Sequence, residues 1–406
     1  MNRYLVIQLA RFGDIVQTKR LVRGVCADQE NEVHLAVDAG LADLAGLLYP
    51  GVRIHGLPVH GSRFDPGVLL RTCGTIFADW KRADFHRVFN CNHGGCNHVL
   101  AGLFAPEQLI GYHWRHGQTL RGPWPEMVFR LSANRLANPL NLMDYWGHFL
   151  QPALAPELVN PPARPKGGGL GVVMAGRHAR RSLPIPVLGR LVQAAAAKFD
   201  GSIHLLGTQA EHPAARQLRD HLPTTVQSRL KDLTGKTNWA ALCDVVQGLD
   251  LLLTPDTGTM HLAAHLGTPI TAFFLSSAWC FETGPYGEGH HVWQAVESCA
   301  PCLESESCGR STACVQPFTD RAVLARLSGD ARRPLPEGLC LLRTSVDDFG
   351  AQFNALAGEL PEQEPRTGRR ELLRSHCLRL PPRKLAMEQE PASSLYNETD
   401  WMIEKT

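Results

Sequence analysis

Short apolar runs alternate with helical patterns along most of this chain, in two series separated by a segment rich in Pro and Gly. In the first series, a strand pattern over residues 3–9 leads through a glycine-containing loop into a helical pattern over residues 15–27. The second series begins with a strand pattern at residue 170 and continues to residue 275. Strands that alternate with helices form parallel sheets covered on both faces. We therefore predict an α/β chain with two sheets.

Shifts in composition set the predicted domain boundaries. Segment 151–169, QPALAPELVNPPARPKGGG, has no apolar period and is predicted to be an interdomain linker. It separates an N-terminal domain, 1–150, from a C-terminal domain, 170–357. Residues 358–406 are rich in Pro, Glu and Arg, and we predict that they form a mostly disordered tail.

The overall composition excludes several classes of protein. At 406 residues, 44% hydrophobic and 20% charged, the chain reads as a globular protein, and its net charge of +2 gives no global field for nucleic acid. No apolar run approaches the ~18 residues that span a bilayer. The start, MNRYLVIQLARFGD, has polar residues where a signal peptide would have its apolar core. These features predict a cytoplasmic protein without a nucleic-acid partner.

The loop Pro255-Asp256-Thr257-Gly258-Thr259 follows an apolar strand pattern and precedes a short helical pattern that ends at Gly267. Free N–H groups and the helix dipole make such a helix N-terminus an anion site, which suits a diphosphate without a metal. An ordinary helix cap at a strand-to-helix turn is the alternative. The candidate residues for the diphosphate and its sugar are Asp256, Thr257, Gly258, Thr259 and His261.

The loop Arg11-Phe12-Gly13-Asp14 follows the first predicted strand. Asp14 begins the next helical pattern, so a simple helix cap is one interpretation. The other is a general base, since a carboxylate at the end of a strand can accept the proton of an attacking hydroxyl. Arg11 would then hold an acidic acceptor or assist the departing diphosphate.

Five segments together are similar to one known family. They are YLVIQLARFGDIVQT, NPLNLMDYWGHFL, HLLGTQAEH, ETGPYGEGHHVW and the long block LTGKTNWAALCDVVQGLDLLLTPDTGTMHLAAHLGTPITAFF. On these segments the chain resembles glycosyltransferase family 9, the heptosyltransferases of the lipopolysaccharide inner core. The resemblance spans residues 3–355, and the block around Asp-Thr-Gly is its most specific part.

The resemblance implies a GT-B fold, with two Rossmann-like parallel-sheet domains facing across a cleft, and inverting transfer of a sugar from a nucleotide diphosphate. The best-known members use ADP-heptose and need no cofactor. The N-terminal domain would bind the acceptor, with Asp14 as the base and Arg11 beside it. The donor residues implied are Gly13, Gly176, Arg181, Gly207, Glu211, Asp256, Thr257, Gly258, Thr259 and His261. At Arg181, before Leu183-Pro184, the family has Lys before Trp-Pro.

The acceptor implied by the resemblance is a lipid-linked sugar, and the chain has cations beside aromatic residues that suit it. Lys19, Arg20 and Arg23 lie on the first predicted helix, and His113-Trp114-Arg115-His116 follows a strand. We expect peripheral contact with the cytoplasmic face of the inner membrane through this surface. A solvated basic face is the alternative.

Twelve cysteines in a chain of this length, without a signal peptide, are expected to be mostly reduced thiols. Four of them, Cys299, Cys302, Cys308 and Cys314, have the spacing C-x2-C-x5-C-x5-C. Four thiolates this close together can hold a structural zinc ion, and a disulfide or plain thiols are the alternative.

Two other functions stay open at this stage. A sugar-nucleotide epimerase of the same fold would convert its substrate without an acceptor. A non-catalytic nucleotide-sugar or glycan binding protein would bind the donor without turnover.

Overall fold

The computed structural model describes residues 1–60, 66–92, 95–132, 134–174, 179–303 and 306–380. These residues divide into two compact units. The first unit consists of 1–134, 142–154 and 375–380, and the second unit consists of 135–141 and 155–374.

The first unit is built on a six-stranded sheet with the order β3-β2-β1-β4-β5-β6, in which only the last pair is antiparallel. Its strands are β1 (Asn2–Ile7), β2 (Asn31–Asp38), β3 (Arg53–Leu57), β4 (Arg87–Asn90), β5 (Leu109–Arg115) and β6 (Gln118–Arg121). Its helices are α1 (Phe12–Gln17), α2 (Lys19–Cys26), α3 (Ala42–Leu48), α4 (Pro66–Ala83), α5 (Gly95–Ala101), α6 (Pro123–Ser132) and α7 (Leu142–Gly147). β1 lies at the centre because its run Leu5-Val6-Ile7 is fully buried, as a strand covered on both faces requires.

The second unit is built on an eight-stranded sheet with the order β14-β13-β12-β11-β10-β7-β8-β9. Its strands are β7 (Leu170–Val173), β8 (Ile203–Leu206), β9 (Leu230–Asp232), β10 (Leu251–Pro255), β11 (Ile270–Phe274), β12 (His291–Ala295), β13 (Leu339–Val346) and β14 (Ala351–Ala357). Its helices are α8 (Ile185–Ala196), α9 (His212–His221), α10 (Thr224–Gln227), α11 (Trp239–Gly248), α12 (Gly258–Leu266), α13 (Cys280–Thr283), α14 (Arg321–Leu327) and most of α15 (Gln363–Cys377). β7 to β12 are parallel, and β13 and β14 extend the sheet as an antiparallel hairpin.

Each sheet has a point at which the order of the strands reverses. In the first sheet this point lies between β1 and β4, and in the second sheet it lies between β7 and β10. Ligands of open α/β sheets bind outside the carboxyl ends of the strands at such a point. The predicted Arg11–Asp14 and Pro255–Thr259 loops follow β1 and β10, so both occupy these positions.

The predicted helix over residues 15–27 is interrupted. α1 ends at Gln17 and α2 begins at Lys19, with Thr18 between them. The carbonyl oxygen of Ile15 accepts hydrogen bonds from the hydroxyl groups of Thr18 and Tyr49, both at 2.6 Å. These bonds compete with regular helical bonding, which explains the break.

Residues predicted as linker are packed on the second unit. Val159 is fully buried, and Asn160 donates from its amide to the carbonyl oxygen of Tyr286 at 2.9 Å. The backbone N–H of Arg164 donates to the carbonyl oxygen of Gly267 at 2.9 Å. Burial and hydrogen bonds therefore attach this segment to the second unit.

The expected disordered tail contains a helix, α15, which corrects that prediction for residues 363–377. Arg366 is 5% exposed, its guanidinium carbon lies 4.2 Å from the ring centre of Phe281, and it donates to the carbonyl oxygen of Leu136 at 2.8 Å. Arg370 pairs with Asp347 at 2.6 Å. The arginines that suggested a solvated tail are therefore the residues that attach the helix. Residues 381–406 lie outside the described part of the chain.

A stacked pair of buried histidines in the first unit makes its stability depend on pH. Nδ1 of His34 lies 2.9 Å from Nε2 of His55, and Glu32 lies 3.1 Å from the other ring nitrogen of His34. Burial lowers the pKa of both histidines, for His55 from 6.5 to about 4, with His34 and Arg53 adding to the effect and Asp79 opposing it. The folded chain therefore favours the neutral form of both histidines.

We expect the free energy of unfolding to fall as the pH drops from about 6.5 towards 4, because His55 takes up a proton in the unfolded chain before it does so in the folded chain. Urea unfolding at several pH values measures this slope. His55→Gln should flatten the slope, whereas His86→Gln, at an exposed position, should leave it unchanged. Equal slopes in all three proteins would contradict this assignment.

Candidate functional site

Asp256 is the centre of a polar cluster at the carboxyl end of β10. It is 6% exposed, and its Oδ2 lies 2.9 Å from Nη1 of Arg181 and accepts a hydrogen bond from the hydroxyl of Thr283 at 3.0 Å. Arg181 follows β7, so the salt bridge joins the two loops at the reversal point of the sheet. Asp256 is one of the residues predicted to hold the diphosphate and its sugar, and in the structure two side chains contact its Oδ2.

The N-terminus of α12 directly follows Asp256. Thr257 is the N-cap residue, and its hydroxyl accepts from the backbone N–H of Met260 at 3.3 Å and lies 3.0 Å from the hydroxyl of Thr254. Gly258 and Thr259 are the first residues of the helix, so their N–H groups have no acceptor within it. The result is a pair of N–H groups at the positive end of the helix dipole, with the Arg181 guanidinium beside the same loop.

His261 lies one turn into α12 and is 5% exposed. Its Nε2 is 3.8 Å from Oδ1 of Asp256. Burial, with a contribution from Arg181, lowers the pKa of His261 from 6.5 to about 3. The imidazole is therefore neutral near pH 7, and it can donate one hydrogen bond but adds no positive charge to an anion site.

Gly207 and Glu211 lie at the carboxyl end of β8. Oε2 of Glu211 accepts from both the N–H and the hydroxyl of Thr208, each at 2.6 Å, which forms a capping box. A Cβ on Gly207 would lie 3.0 Å from Cβ of Glu211, so the glycine leaves room for this carboxylate. Both bonds are accepted by Oε2, so the carboxylate of Glu211 is held at the carboxyl end of β8. Gly176, also predicted to bind the donor, lies outside the described residues.

Asp14 is the third residue of α1, and Arg11 is the N-cap. Oδ2 of Asp14 accepts from the backbone N–H of Arg11 at 3.0 Å, so the capping role weighed from the sequence is present. The loop after β1 is held from the other side, because Oδ1 of Asn92 accepts from the N–H of Leu9 at 2.9 Å. The carboxylate of Asp14 is thus fixed at the reversal point of the first sheet, where a catalytic group would be useful.

Two of the cations expected to bind an acidic acceptor are buried instead. Arg20 is 2% exposed and forms a 2.6 Å salt bridge with Asp144, and Lys19 is 5% exposed. Burial, with Arg23 nearby, lowers the pKa of Lys19 from 10.5 to about 7. The other predicted element, the aromatic segment around Trp114, agrees better with an acceptor-binding surface. Trp114 is 50% exposed, and its ring stacks on that of His98 with the ring centres 6.1 Å apart.

Sequence reasoning missed Thr283 and Arg180. Thr283 is 27 residues from Asp256, and no local pattern connects them. Arg180 was not distinguished from its neighbour Arg181, yet its Nη2 lies 3.0 Å from Sγ of Cys302 and its Nη1 donates to the carbonyl oxygen of Leu303 at 3.0 Å. The sequence signal for Arg180 was its position in the loop after a central strand.

In the part of the chain that the structure describes, no group of three or more His, Cys, Asp or Glu side chains is arranged to hold a metal ion. No helix there is long and apolar enough to cross a membrane.

Comparisons with solved structures define the class of fold. A glycosyltransferase family 9 protein from Veillonella parvula shares 15% identity and a TM-score of 0.56, over 73% of this chain and 88% of that chain. The E. coli ADP-heptose lipopolysaccharide heptosyltransferase II shares 17% identity and a TM-score of 0.51, over 70% of this chain and 88% of that chain. With the two parallel-dominated sheets described above, these similarities confirm the predicted α/β fold of the GT-B class.

Sequence comparisons match part of the second unit to one family. Residues 190–311 match the model of glycosyltransferase family 9 (heptosyltransferase). A curated relative, lipooligosaccharide heptosyltransferase 2 of Haemophilus influenzae, is 29% identical over 73 residues, which are 18% of this chain and 21% of that protein. The predicted resemblance to glycosyltransferase family 9 is therefore confirmed for residues 190–311 of this chain.

Proposed function

We propose that this protein is an inverting glycosyltransferase that uses a nucleotide-diphosphate sugar as its donor. The observation that carries the proposal is the cluster at the start of α12, where two N–H groups of a helix N-terminus lie beside the Arg181–Asp256 pair. A diphosphate matches the N–H groups and the guanidinium, and the carboxylate suits sugar hydroxyls. The family assignment supports the same reaction class.

In the proposed reaction, a hydroxyl oxygen of the acceptor attacks the anomeric carbon of the donor sugar. The bond from that carbon to the diphosphate oxygen breaks, and the diphosphate leaves with the electron pair. Asp14 accepts the proton of the attacking hydroxyl. The helix N-terminus and Arg181 stabilise the charge that develops on the leaving group.

We propose ADP-heptose as the donor and a lipid-linked core sugar as the acceptor. Support for both comes from proteins similar to this chain, one of which is described as an ADP-heptose lipopolysaccharide heptosyltransferase. The acceptor side of the proposal includes the exposed Trp114 with Arg115 and His116, which could meet a lipid surface peripherally. No metal or organic cofactor is required for the transfer as proposed.

Calorimetric titration of the full chain with ADP-heptose, ADP, and UDP and GDP sugars tests the donor proposal. We expect ~micromolar binding of ADP-heptose, and Asp256→Ala should weaken it by at least ~10-fold, because the donor sugar loses the carboxylate proposed to bind its hydroxyls and Arg181 loses the partner that positions it. Asp330→Ala removes a carboxylate from an exposed pair with Arg332 and should leave the affinity unchanged.

The other outcomes of this titration are informative. Tighter binding of a UDP or GDP sugar would keep the reaction class and overturn the heptose donor. No binding of any nucleotide sugar would contradict the proposed function. Conversion of the bound nucleotide sugar without an acceptor would instead indicate an epimerase.

A further inference from the structure

Three buried asparagines lie at the carboxyl end of β4 in the first unit. Asn90 is the last residue of β4, Asn92 follows the strand, and Asn97 lies on α5; we call them the asparagine cluster. Asn92 is 1% exposed, and the other two are fully buried. Burying an amide costs free energy unless it is hydrogen-bonded, so the partners of these side chains indicate what the cluster does.

The hydrogen bonds within the asparagine cluster have a fixed direction. Nδ2 of Asn97 donates to Oδ1 of Asn92 at 2.7 Å and to Oδ1 of Asn90 at 3.3 Å. Nδ2 of Asn90 donates in turn to the carbonyl oxygen of Tyr112 on β5 at 2.6 Å. Because two oxygen atoms face Asn97, only its amide nitrogen can lie between them. The cluster therefore presents Oδ1 of Asn92 as an acceptor.

The same oxygen atom of Asn92 holds the loop that follows β1. The pairing of β1 with β4 runs to Ile7 and Asn90, and the backbone N–H of Cys91 donates to the carbonyl oxygen of Ile7 at 3.0 Å. Past this point, the N–H of Leu9 donates to Oδ1 of Asn92 at 2.9 Å. An amide side chain thus takes the place of a backbone partner where the chain leaves the sheet.

Three consecutive N–H groups of this loop donate to side-chain oxygen atoms. The N–H of Leu9 donates to Asn92, that of Ala10 donates to Oε1 of Gln8 at 3.3 Å, and that of Arg11 donates to Oδ2 of Asp14. Gln8 and Asp14 belong to the same stretch of chain and set the shape of the loop. Asn92 is 83 residues from Leu9, so it sets the position of the loop on the sheet.

The loop after β1 has a second anchor of a different kind. Nε2 of His60 donates to the carbonyl oxygen of Leu9 at 2.8 Å, but His60 is exposed. A hydrogen bond open to water contributes less than one in a buried network, where the local dielectric is low. The buried bond to Asn92 is therefore the stronger of the two constraints.

We propose that Asn92 is a positioning residue for Asp14. Held by Asn97, it fixes the loop after β1 and with it the carboxylate that accepts the proton of the attacking hydroxyl. This inference rests on the proposed function. Misplacing a reacting group by about 1 Å can cost ~10²-fold in rate, so the anchor matters for turnover. It does not matter for donor binding, which the proposed function assigns to the second unit.

Asn92→Ala in the full chain is expected to lower kcat for sugar transfer by at least ~10-fold and to leave the affinity for ADP-heptose unchanged. Transfer to a heptose-deficient lipid acceptor gives kcat, and calorimetry gives the affinity. Asn31→Ala is the control. Asn31 begins β2 at the amino end of the same sheet, and its Nδ2 donates to the carbonyl oxygen of Val25 at 3.0 Å. Equal kcat values for the two variants would overturn the inference.

The direction of the hydrogen bonds predicts opposite results for the same substitution at two positions. Asn92→Asp should keep kcat within ~3-fold, because a carboxylate can accept from both N–H donors that face it. Asn97→Asp should lower kcat by at least ~10-fold, because its carboxylate would face two carbonyl oxygens. Far-ultraviolet circular dichroism and donor affinity report whether each variant is folded. Equal kcat values in two folded variants would contradict the proposed network.

A positioning residue acts through the residue that it positions. Added to Asp14→Asn, Asn92→Ala should therefore lower the remaining rate by less than ~2-fold. If the double variant instead showed the full loss of both single variants multiplied together, Asn92 would act independently of Asp14. That result would overturn the inference and leave Asn92 a structural residue.

Hydrogen exchange tests the anchor without any transfer. Mass spectrometry of peptides that contain residues 8–14 should show exchange at least ~10-fold faster in Asn92→Ala than in the unaltered chain or in Asn31→Ala. Unchanged exchange would overturn the inference even if the protein transfers sugar. If the unaltered chain transfers no sugar but exchange accelerates as expected, the proposed function fails and the anchor of the loop stands.

Discussion

Asp14→Asn is expected to lower the rate of sugar transfer by at least ~10²-fold while leaving donor affinity unchanged, because the amide cannot accept the proton of the attacking hydroxyl. The amide oxygen can still accept from the N–H of Arg11, so the helix cap is preserved. Transfer from ADP-heptose to a heptose-deficient lipid acceptor gives the rate, and calorimetry gives the affinity. This pair of measurements separates a catalytic role from a capping role.

Asp320→Asn is the matched control, since Asp320 caps α14 by accepting from the N–H of Ala322 at 2.7 Å. We expect its transfer rate to stay near that of the unaltered protein. If Asp14→Asn lost no more activity than Asp320→Asn, Asp14 would be a helix cap and no base. A binding protein without catalysis would show no transfer in any of the three chains.

Asp144→Ala is expected to lower the free energy of unfolding by about 3–5 kcal/mol, because it leaves the Arg20 guanidinium without its carboxylate in the core. Both side chains are nearly inaccessible, at 2% and 0% exposure. The aliphatic part of the Arg20 side chain is confined, since a Cβ on Gly147 would lie 2.5 Å from Cδ of Arg20. Urea unfolding at neutral pH measures the loss.

The exposed pair of Arg82 and Asp79 provides a control of the same chemistry. Asp79→Ala should cost less than about 1 kcal/mol, since surface ion pairs contribute little. The double variant Arg20→Met/Asp144→Leu should be more stable than Asp144→Ala, because it removes the uncompensated charge. Equal decreases in the free energy of unfolding for Asp144→Ala and Asp79→Ala would show that the buried pair stabilises the fold no more than the exposed pair does.

The sequence predicted the two loops at the strand-reversal points because both follow apolar strands and precede helices, a local pattern. It could not predict the partners of their side chains. Arg181 and Asp256 are 75 residues apart, and Arg20 and Asp144 are 124 residues apart. Cations on a helix are usually exposed, so Arg20 was read as part of a surface, when a distant carboxylate allows it to be buried.

The antiparallel hairpin of β13 and β14 and the helix α15 were also missed. The hairpin follows the parallel series, and its strands lack the intervening helix that marked the others. α15 carries four arginines within nine residues, 366–374, with Arg366 over Phe281 and Arg374 paired with Asp348. Such a helix has no apolar stripe to detect, because its attachment depends on cation–π contacts and ion pairs.

The first unit is assembled from pieces that leave the ribosome at very different times. Arg20, near the start of the chain, pairs with Asp144. Cys377 is buried near this pair: burial raises the pKa of its thiol, and the charges of Arg20 and Asp144 also act on it. Cys377 leaves the ribosome only after the whole second unit. At about 5–20 residues per second, the interval between Asp144 and Cys377 lasts on the order of ten seconds or more. Completion of this unit is therefore a late event in synthesis, and nascent chains stalled before that point would present an unfinished surface to chaperones.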